Sequence, residues 1–588
     1  LTTVSAFLPL MLLPGIVGKF MFGIPFVVTV GLLVSLVEAF WILPAHVVSL
    51  GGRAVSTGRV QQVRERITRK VRLKYGQALA WVIRRPIRSC ISGASIVLLA
   101  IVLAGSGAIR NEFFTFDPIR LFYVHFQMPA DSRIEDTLAA AEAVEARLQT
   151  VLTDEETRAV TVQAGLKFTE TEALIGEQYA QIQVSLNPRR SGQRSVSEVV
   201  DATREALADL PTSAEITFLE LSGGPPREPP IKVKVRGDDF AIISEAADRV
   251  QDIVRNIPGA HDVRDNEVAG RRQLVLDLQE SQIRAFGLTP ANVARLLRLH
   301  TDGEIVSTLR SGGEKVELRV RAEPGALDRI EAVLDDPIAL PDGSITSLRP
   351  LVGTAISRGR GVIQHYNFRR VIQVTGELDP NTTDTVAANQ LIRDGWAEIA
   401  AEYPQIELDF TGALDDIQES LDAFLPLSLL GVGLIYLLLA TQFRSYFQPL
   451  LILLTIPMSI TGVIFGLAIT NNPLSLYTIY GTVALTGIAV NAAIVLIDAA
   501  NTRVAAGIRP LHATIYAARR RVIPILMTTS TTIAGLFSLA VGLGGKSLLW
   551  GPVATSIVSG LLVASALTLF VIPTLYRLFM RGRSPRAS

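Results

Sequence analysis

The stretch GIAVNAAIVLIDAAN, residues 487–501, followed after a short basic segment by RRRVIPILMTTSTTIAG, residues 519–535, decides how the rest of the chain is read. Both runs are apolar, and both carry polar groups at a fixed interval. Asn491 and Asp498 are seven residues apart, as are Arg521 and Thr528. In a helix that interval returns to one face and rises roughly 10 Å. If the two runs are antiparallel neighbours joined on the cytoplasmic side, Asp498 and Arg521 share one depth near the surface, and Asn491 and Thr528 share another further in. Gly481, Ala484 and Gly487 extend the same face and are small enough for close helix approach. Polar groups at such depth are costly against lipid, so they face the interior of a bundle. There they are either plain interhelical hydrogen bonders or part of a charge-handling device.

Of 588 residues, 49% are hydrophobic, and the mean hydropathy is positive. That is long enough for several domains and too apolar for a purely soluble protein. A net charge of +1, with no basic cluster interleaved with aromatics, gives no reason to expect nucleic acid. The lone Cys90 excludes an internal disulfide framework and a cysteine-based metal site. There is no Walker A pattern, no GxSxG elbow and no HExxH, and the six histidines are scattered, so neither an enzyme nor a cofactor is expected.

Residues 1–17 read as a membrane helix cut at its start, without the charged leader or cleavage site of a signal peptide. A complete span follows at about 24–47, with Glu38 inside it as either a hydrogen bonder or a proton-handling acid. Between 50 and 89, eleven Lys and Arg residues from Arg53 to Arg88 face the single acid Glu65, which places this segment in the cytoplasm. A third span occupies about 90–108. Five more are expected near 420–441, 448–469, 474–501, 523–544 and 551–578, with basic loops alternating against nearly neutral turns.

Residues 109 to about 419 hold no span, and the alternation of sides puts them outside the cytoplasm. Strand 119–128, a helix opened by a Ser132–Glu135 capping box, strands near 157–165 and 178–186, a helix near 195–209 and strand 214–221 give the order βαββαβ, which is ferredoxin-like. After the breaker SGGPPREPP the order restarts with strand 231–237, a helix to about 256 and strands near 261–267 and 272–278. It is completed by strand 371–378, a helix near 383–402 and strand 405–412. Residues 279–365 are then an insertion containing a hairpin that turns at Gly312 and Gly313.

GIAVNAAIVLID, the RRRVIPILMTT run and the opening LPLMLLPGIVGKF (8–20) together resemble inner-membrane transporters of the resistance-nodulation-division superfamily, nearest to the hydrophobe and multidrug efflux branch. The likeness covers essentially the whole chain and matches such a pump from its fifth transmembrane helix to its C-terminus. It implies an α+β membrane protein: a polytopic helix bundle carrying a large periplasmic insert of two ferredoxin-like porter subdomains and a docking subdomain. The divisions expected are 1–48 transmembrane, 49–89 cytoplasmic and amphipathic, 90–108 transmembrane, 109–224 first porter, 225–278 with 366–415 second porter, 279–365 docking, 416–580 five transmembrane helices and 581–588 cytoplasmic tail. The implied function is proton-driven export of amphipathic or hydrophobic compounds. The implied setting is a homotrimer in the bacterial inner membrane, amid membrane lipid, joined to a periplasmic adaptor and an outer-membrane channel.

The resemblance also implies roles. Proton translocation in the family uses two acids on the fourth membrane helix, which this chain is expected to lack, coupled to a polar residue on the tenth and to an arginine and a threonine on the eleventh. Asn491 falls where the best-known pumps have lysine, and Arg521 and Thr528 fall on the arginine and threonine. With Asp498 and Glu38 these are the expected proton relay. For substrate, GLKFTETEALIG (165–176) is too long for a tight turn and resembles the switch loop of a drug pocket. Phe168 and Leu166 within it, Phe218 on the last strand and Gln183, where well-known pumps have an aromatic, are the expected substrate contacts. For Phe218, packing in the subdomain core serves equally well. A copper or silver exporter would want thioether ligands outside the membrane, and Met128 is the sole methionine there. Exporters of lipids or other envelope components, and a non-transporting scaffold, stand as alternatives.

Overall fold

The computed structural model describes residues 1–50, 59–115, 117–169, 173–188, 193–224, 228–321, 333–379, 382–543 and 545–580. The 581–588 tail, residues 51–58 of the basic segment and part of the SGGPPREPP breaker lie outside the described residues. Among the described residues seven helices are long and apolar enough to cross a membrane: Gly15–Ser49, Pro86–Gly105, Ala413–Phe443, Gln448–Thr470, Leu476–Ala505, Pro510–Val541 and Trp550–Phe579. A shorter apolar helix, Thr2–Leu12, precedes them.

Trp550–Phe579 is the central post, packed against the three spans before it. Small residues set that closeness. A Cβ on Gly462 would stand 2.6 Å from the Ser559 carbonyl oxygen, and one on Gly466 would collide with the Ser559 side chain. Gly462 and Gly466 are four apart, so they share a ridge that lets two backbones touch. The expected common face of Gly481 and Gly487 does not form. Gly481 abuts Val553, whereas Gly487 abuts Thr3 in the short N-terminal helix, because six residues along a helix turn the second glycine away from the first. The basic segment forms the helix Arg59–Arg84, whose Tyr75, Leu79 and Ile83 are buried against Ala517, Val522 and Ile525. The Tyr75 hydroxyl donates to the Leu569 carbonyl at 2.7 Å.

Outside the bundle, strands β1 (Asp117–Gln127), β2 (Thr157–Phe168), β3 (Ala173–Leu186) and β4 (Glu215–Gly223) form a sheet in the order β2-β3-β1-β4. With helices Ile134–Leu148 and Val196–Leu207 on one face, this is the ferredoxin-like arrangement. Alternation drives it: Phe122, Val124 and Phe126 enter the helix-covered core, while Tyr123, His125 and Gln127 take the other face. The first helix begins at Ile134 with Arg133 as its N-cap and no side-chain cap. Glu135 is therefore one position too early for the expected box with Ser132. A capping box does form at Ser195 and Glu198.

The second unit uses β5 (Ile231–Gly237) and β6 (Ala260–Asp265), and its chain then departs from expectation. β7 (Ala269–Leu278) does not join the sheet. The insertion beyond it carries hairpin β8–β9 (Glu304–Ser311, Glu314–Val320) and the pair β10 (Pro337–Ala339) and β11 (Ile345–Ser347); β12 (Val352–Arg360) then pairs with β7 in a two-stranded ribbon. After β13 (Gln364–Tyr366), strands β14 (Arg369–Leu378) and β15 (Glu407–Phe410) complete a sheet in which β6, β14, β5 and β15 lie in the ferredoxin-like order. The inserted excursion therefore begins at β7, before residue 279. Gly312 and Gly313, with φ of 62° and 89°, make the two-residue turn of β8–β9 as expected. Three ion pairs tie the first unit to β6 and β7: Arg204–Asp262 at 3.0 Å, Arg271–Glu177 at 3.2 Å and Arg272–Asp131 at 2.8 Å.

Candidate functional site

Asn491 and Asp498 lie on one exposed side of Leu476–Ala505. The Thr2 hydroxyl donates to Asn491 Oδ1 at 3.3 Å, and the neighbouring Thr3 hydroxyl donates to the Gly487 carbonyl at 3.2 Å. Thr528 turns back on its own helix, donating to the Pro524 and Ile525 carbonyls at 3.2 and 3.0 Å. A threonine satisfied in this way needs no partner across the interface, and Asn491 and Thr528 do not bond to each other. Among the described residues Asp498 and Arg521 form no ion pair with each other or with any other group. Glu38 is exposed at the first position of a π-turn, Glu38–Ile42, on a stretch whose residues 30–49 are all exposed. The structure thus shares Asn491 and Asp498 out to one face, keeps Thr528 self-bonded, and leaves Glu38 on a separate helix.

Side chains that do join neighbouring spans are ones the sequence reading passed over. Tyr576 donates to Asn501 Oδ1 at 2.7 Å, and Asn501 Nδ2 donates to Gln448 Oε1 at 2.8 Å, so three helices share one amide. Thr529 and Ser565 hydroxyls meet at 2.9 Å. The available signal was a hydrogen-bonding side chain near the cytoplasmic end of each of three apolar spans.

A cleft of about 1940 Å³ lies between the two ferredoxin-like units. It reaches the membrane helices at Ile16, Ile417, Leu421 and Ile479, with Asp416 beside Ile417. Carboxylates such as Glu215, Asp265, Glu267, Glu377 and Asp379 outnumber the lysines and arginines on its walls. Of the four expected substrate contacts, Phe218 lines it, whereas Leu166, Phe168 and Gln183 do not. The Arg204 guanidinium sits 5.0 Å from the Phe218 ring centroid while its charge is held by Asp201 and Asp262, both at 3.0 Å. Phe218, opposite Val124, also packs against the first unit's core as the alternative reading expected, and its ring is capped by an ion-paired arginine bridging the two units.

The 165–176 segment is no long loop. β2 runs on to Phe168 and β3 starts at Ala173, with Leu166 opposite Ile175 and Phe168 opposite Ala173; its residues 170–172 lie outside the described residues. A register shift at Gly165, whose φ is 91°, lets the hairpin bend and continue. Phe168 is exposed at the hairpin's end, its N–H donating to Gln181 Oε1 at 2.8 Å. Gln183 is half-buried on the face away from the helices, opposite Tyr123 and Thr161.

His125 and Lys167 stand together on the cleft wall. Burial, and then the charges of Lys167 and Arg264, push the His125 pKa down to about 4, against a smaller opposing effect of the Phe168 backbone. Its Nε2 has no hydrogen-bond partner among the described residues. Because the folded value lies below the unfolded one of about 6.5, the stability this neutral ring supports is complete above pH 6.5 and is lost as pH falls toward 4. Thermal unfolding followed from pH 7 to pH 4 should show wild type losing more stability than His125→Gln; parallel curves would refute the assignment.

The sequence model described as the AcrB/AcrD/AcrF family matches residues 1–580. The nickel and cobalt resistance protein CnrA of Cupriavidus metallidurans is 25% identical over 600 residues, covering 98% of this chain and 54% of that protein. The multidrug resistance protein MdtC of Salmonella heidelberg is 23% identical over 610 residues, covering 99% of this chain and 56% of that protein. A crystal structure of a heavy metal efflux pump superposes with a TM-score of 0.79 at 20% identity, over 99% of this chain and 57% of that one. The chain spans about half the length of the curated relatives it matches.

Proposed function

The chain belongs to the AcrB/AcrD/AcrF family of resistance-nodulation-division efflux transporters, and from that premise we propose that it exports cationic amphipathic organic compounds in exchange for protons. The observation that carries the reading is the cleft. At about 1940 Å³ it exceeds the few hundred to 1,000 Å³ typical of a drug-sized site, its lower end is mainly apolar where it meets the membrane helices, with Asp416 the acid on those helices, and its walls are rich in carboxylates. That combination suits a ligand with an apolar body and a positive charge. Phe218 offers it a ring face once Arg204 moves aside.

Export of divalent metal ions is the second reading, favoured by the names of relatives such as the nickel and cobalt resistance protein CnrA and by the same acidic walls. Against it, no group of three or more His, Cys, Asp or Glu side chains converges as a metal site among the described residues. The proton pathway proposed is Asn491, Asp498, Arg521, Thr528 and Glu38. Assembly is proposed as a trimer in the bacterial inner membrane with a periplasmic adaptor and an outer-membrane channel. In its support, hairpin β8–β9 exposes Val306, Leu309, Val316 and Leu318 on an arm with almost no cover, which is the form of a segment awaiting a neighbour.

The test is efflux by the complete transporter in cells lacking their own exporters, comparing ethidium with nickel and zinc. Ethidium export that falls with Phe218→Ala and responds little to Phe168→Ala is expected. Metal export without dye export would overturn the substrate class in favour of the second reading.

A further inference from the structure

The helix Arg59–Arg84 has two halves with different cover. From Tyr75 onward its apolar side is buried in the bundle, whereas Val63 and Ile67, which extend the row of Val71 and Tyr75, are more than half exposed. A helix with a bare apolar row on one side, arginines on the other and its far end anchored among transmembrane helices lies in the headgroup plane of the bilayer. Between this half and the neighbouring span is a hollow of about 460 Å³, lined by Arg64, Glu65, Arg69 and Arg72 from the helix and by Arg519 from Pro510–Val541. Arg64 and Arg72 are eight apart, so they share the ridge that faces Arg519. Gly76 makes the approach possible, since a Cβ there would stand 2.9 Å from Arg519 Cδ.

None of these four guanidinium groups has a hydrogen-bond or ion-pair partner among the described residues. Glu65, the carboxylate in the hollow, accepts from the Gln61 amide at 3.2 Å. Nearby Arg503 and Arg520, by contrast, both stack on Tyr516, at 4.4 and 5.6 Å from its ring centroid. The excess of basic residues on the cytoplasmic side orients the chain, but orientation does not require four of them to converge unpaired on one hollow. Gathering like charges is costly unless an anion sits among them.

We propose that this hollow binds the phosphodiester headgroup of an anionic phospholipid, whose acyl chains continue along the bare Val63–Ile67 row. Forked guanidinium donors match phosphate oxygens, and headgroup depth supplies a lipid rather than a free ion. The bound lipid clamps the amphipathic helix to Arg519, and so to the span that carries Arg521 and Thr528. Lipid binding here is independent of which substrate the cleft exports.

The experiment titrates the full chain, in a neutral maltoside detergent, with dihexanoyl phosphatidylglycerol or dihexanoyl phosphatidylcholine, reading retained lipid by native mass spectrometry and thermal stability in parallel. Phosphatidylglycerol should be retained and should raise the unfolding temperature, while phosphatidylcholine does neither. Arg69→Gln/Arg72→Gln should weaken retention about 25-fold, from roughly fivefold for each basic group removed near an anionic headgroup. Arg284→Gln/Arg349→Gln, which removes the same charge from ion-paired surface sites far along the chain, should leave it unchanged. Equal retention of the two lipids, or undiminished phosphatidylglycerol binding by Arg69→Gln/Arg72→Gln, overturns the site. Equal stabilisation by inorganic phosphate alone overturns the lipid assignment.

Discussion

Arg521→Ala in the complete transporter is expected to reduce gradient-driven efflux about 100-fold or more while leaving dye binding intact. Arg521 is half-buried at the cytoplasmic end of its span and has no ion-pair partner among the described residues. A permanent positive charge at that depth needs a compensating anion, and an acid that gains and loses a proton is the anion a coupled cycle requires. Deleting one member of such a desolvated pair costs about 3 kcal/mol or more, which is the 100-fold loss. Arg521→Lys, which keeps charge but not the fork, should fall between. Asn491→Ala should cost less, about tenfold at most, because a neutral amide contributes roughly 1 kcal/mol. Reconstitution in proteoliposomes with an imposed pH gradient measures all three. Flux by Arg521→Ala within twofold of wild type would remove it from the relay, and loss of flux in Glu38→Gln would identify that acid as the titrating partner.

Gly466→Leu is expected to prevent the membrane bundle from assembling. The glycine faces the Ser559 side chain with no room for even a Cβ, and neighbouring Gly462 meets the same turn of the central helix. Overpacking a close helix contact costs about 1–3 kcal/mol for small excesses, and a leucine at a backbone-to-backbone crossing exceeds that range. Gly466→Ala should already unfold at lower temperature. Gly433→Ala is the matched control, since a Cβ there meets nothing within 4 Å, and a mid-helix alanine is favoured over glycine by about 0.5–1 kcal/mol. Yield from membranes and thermal unfolding in detergent report the outcome. Normal accumulation of Gly466→Leu with an unchanged melting temperature would refute this account of the bundle's packing.

What was legible in the sequence was what periodicity writes locally. Apolar runs of membrane length gave the spans, and alternation in segments such as IKVKVRG gave the strands of both ferredoxin-like units. Pairings set by distant partners were not legible. β7 has the composition of a third sheet strand, yet its edge is taken by β12, and only the partner reveals that. The 165–176 segment looked like a loop because Thr169 to Glu172 are polar, although cross-strand pairing carries β2 and β3 past Gly165. The seven-residue spacing of Asn491 and Asp498 correctly placed them on one side of a helix, but spacing says nothing about the opposing helix. There Thr528 satisfies itself, while Asn501, three residues beyond Asp498 on the first helix, bonds Gln448 and Tyr576 of two other spans. Phe218 lines the cleft from the sheet's last strand, whereas the more conspicuous Phe168 stays outside it.

The ribbon of β7 and β12 leaves one ferredoxin-like unit and is pinned by Arg271 and Arg272 to Glu177 and Asp131 of the other. β7 begins at Ala269, so both pins stand at the ribbon's root, and with Arg204–Asp262 they make three charge pairs between the two units. Solvent-exposed pairs of this kind contribute about 0–1 kcal/mol each and weaken with salt. The seam between the units is therefore a light latch, closed by charges that ionic strength alone can loosen.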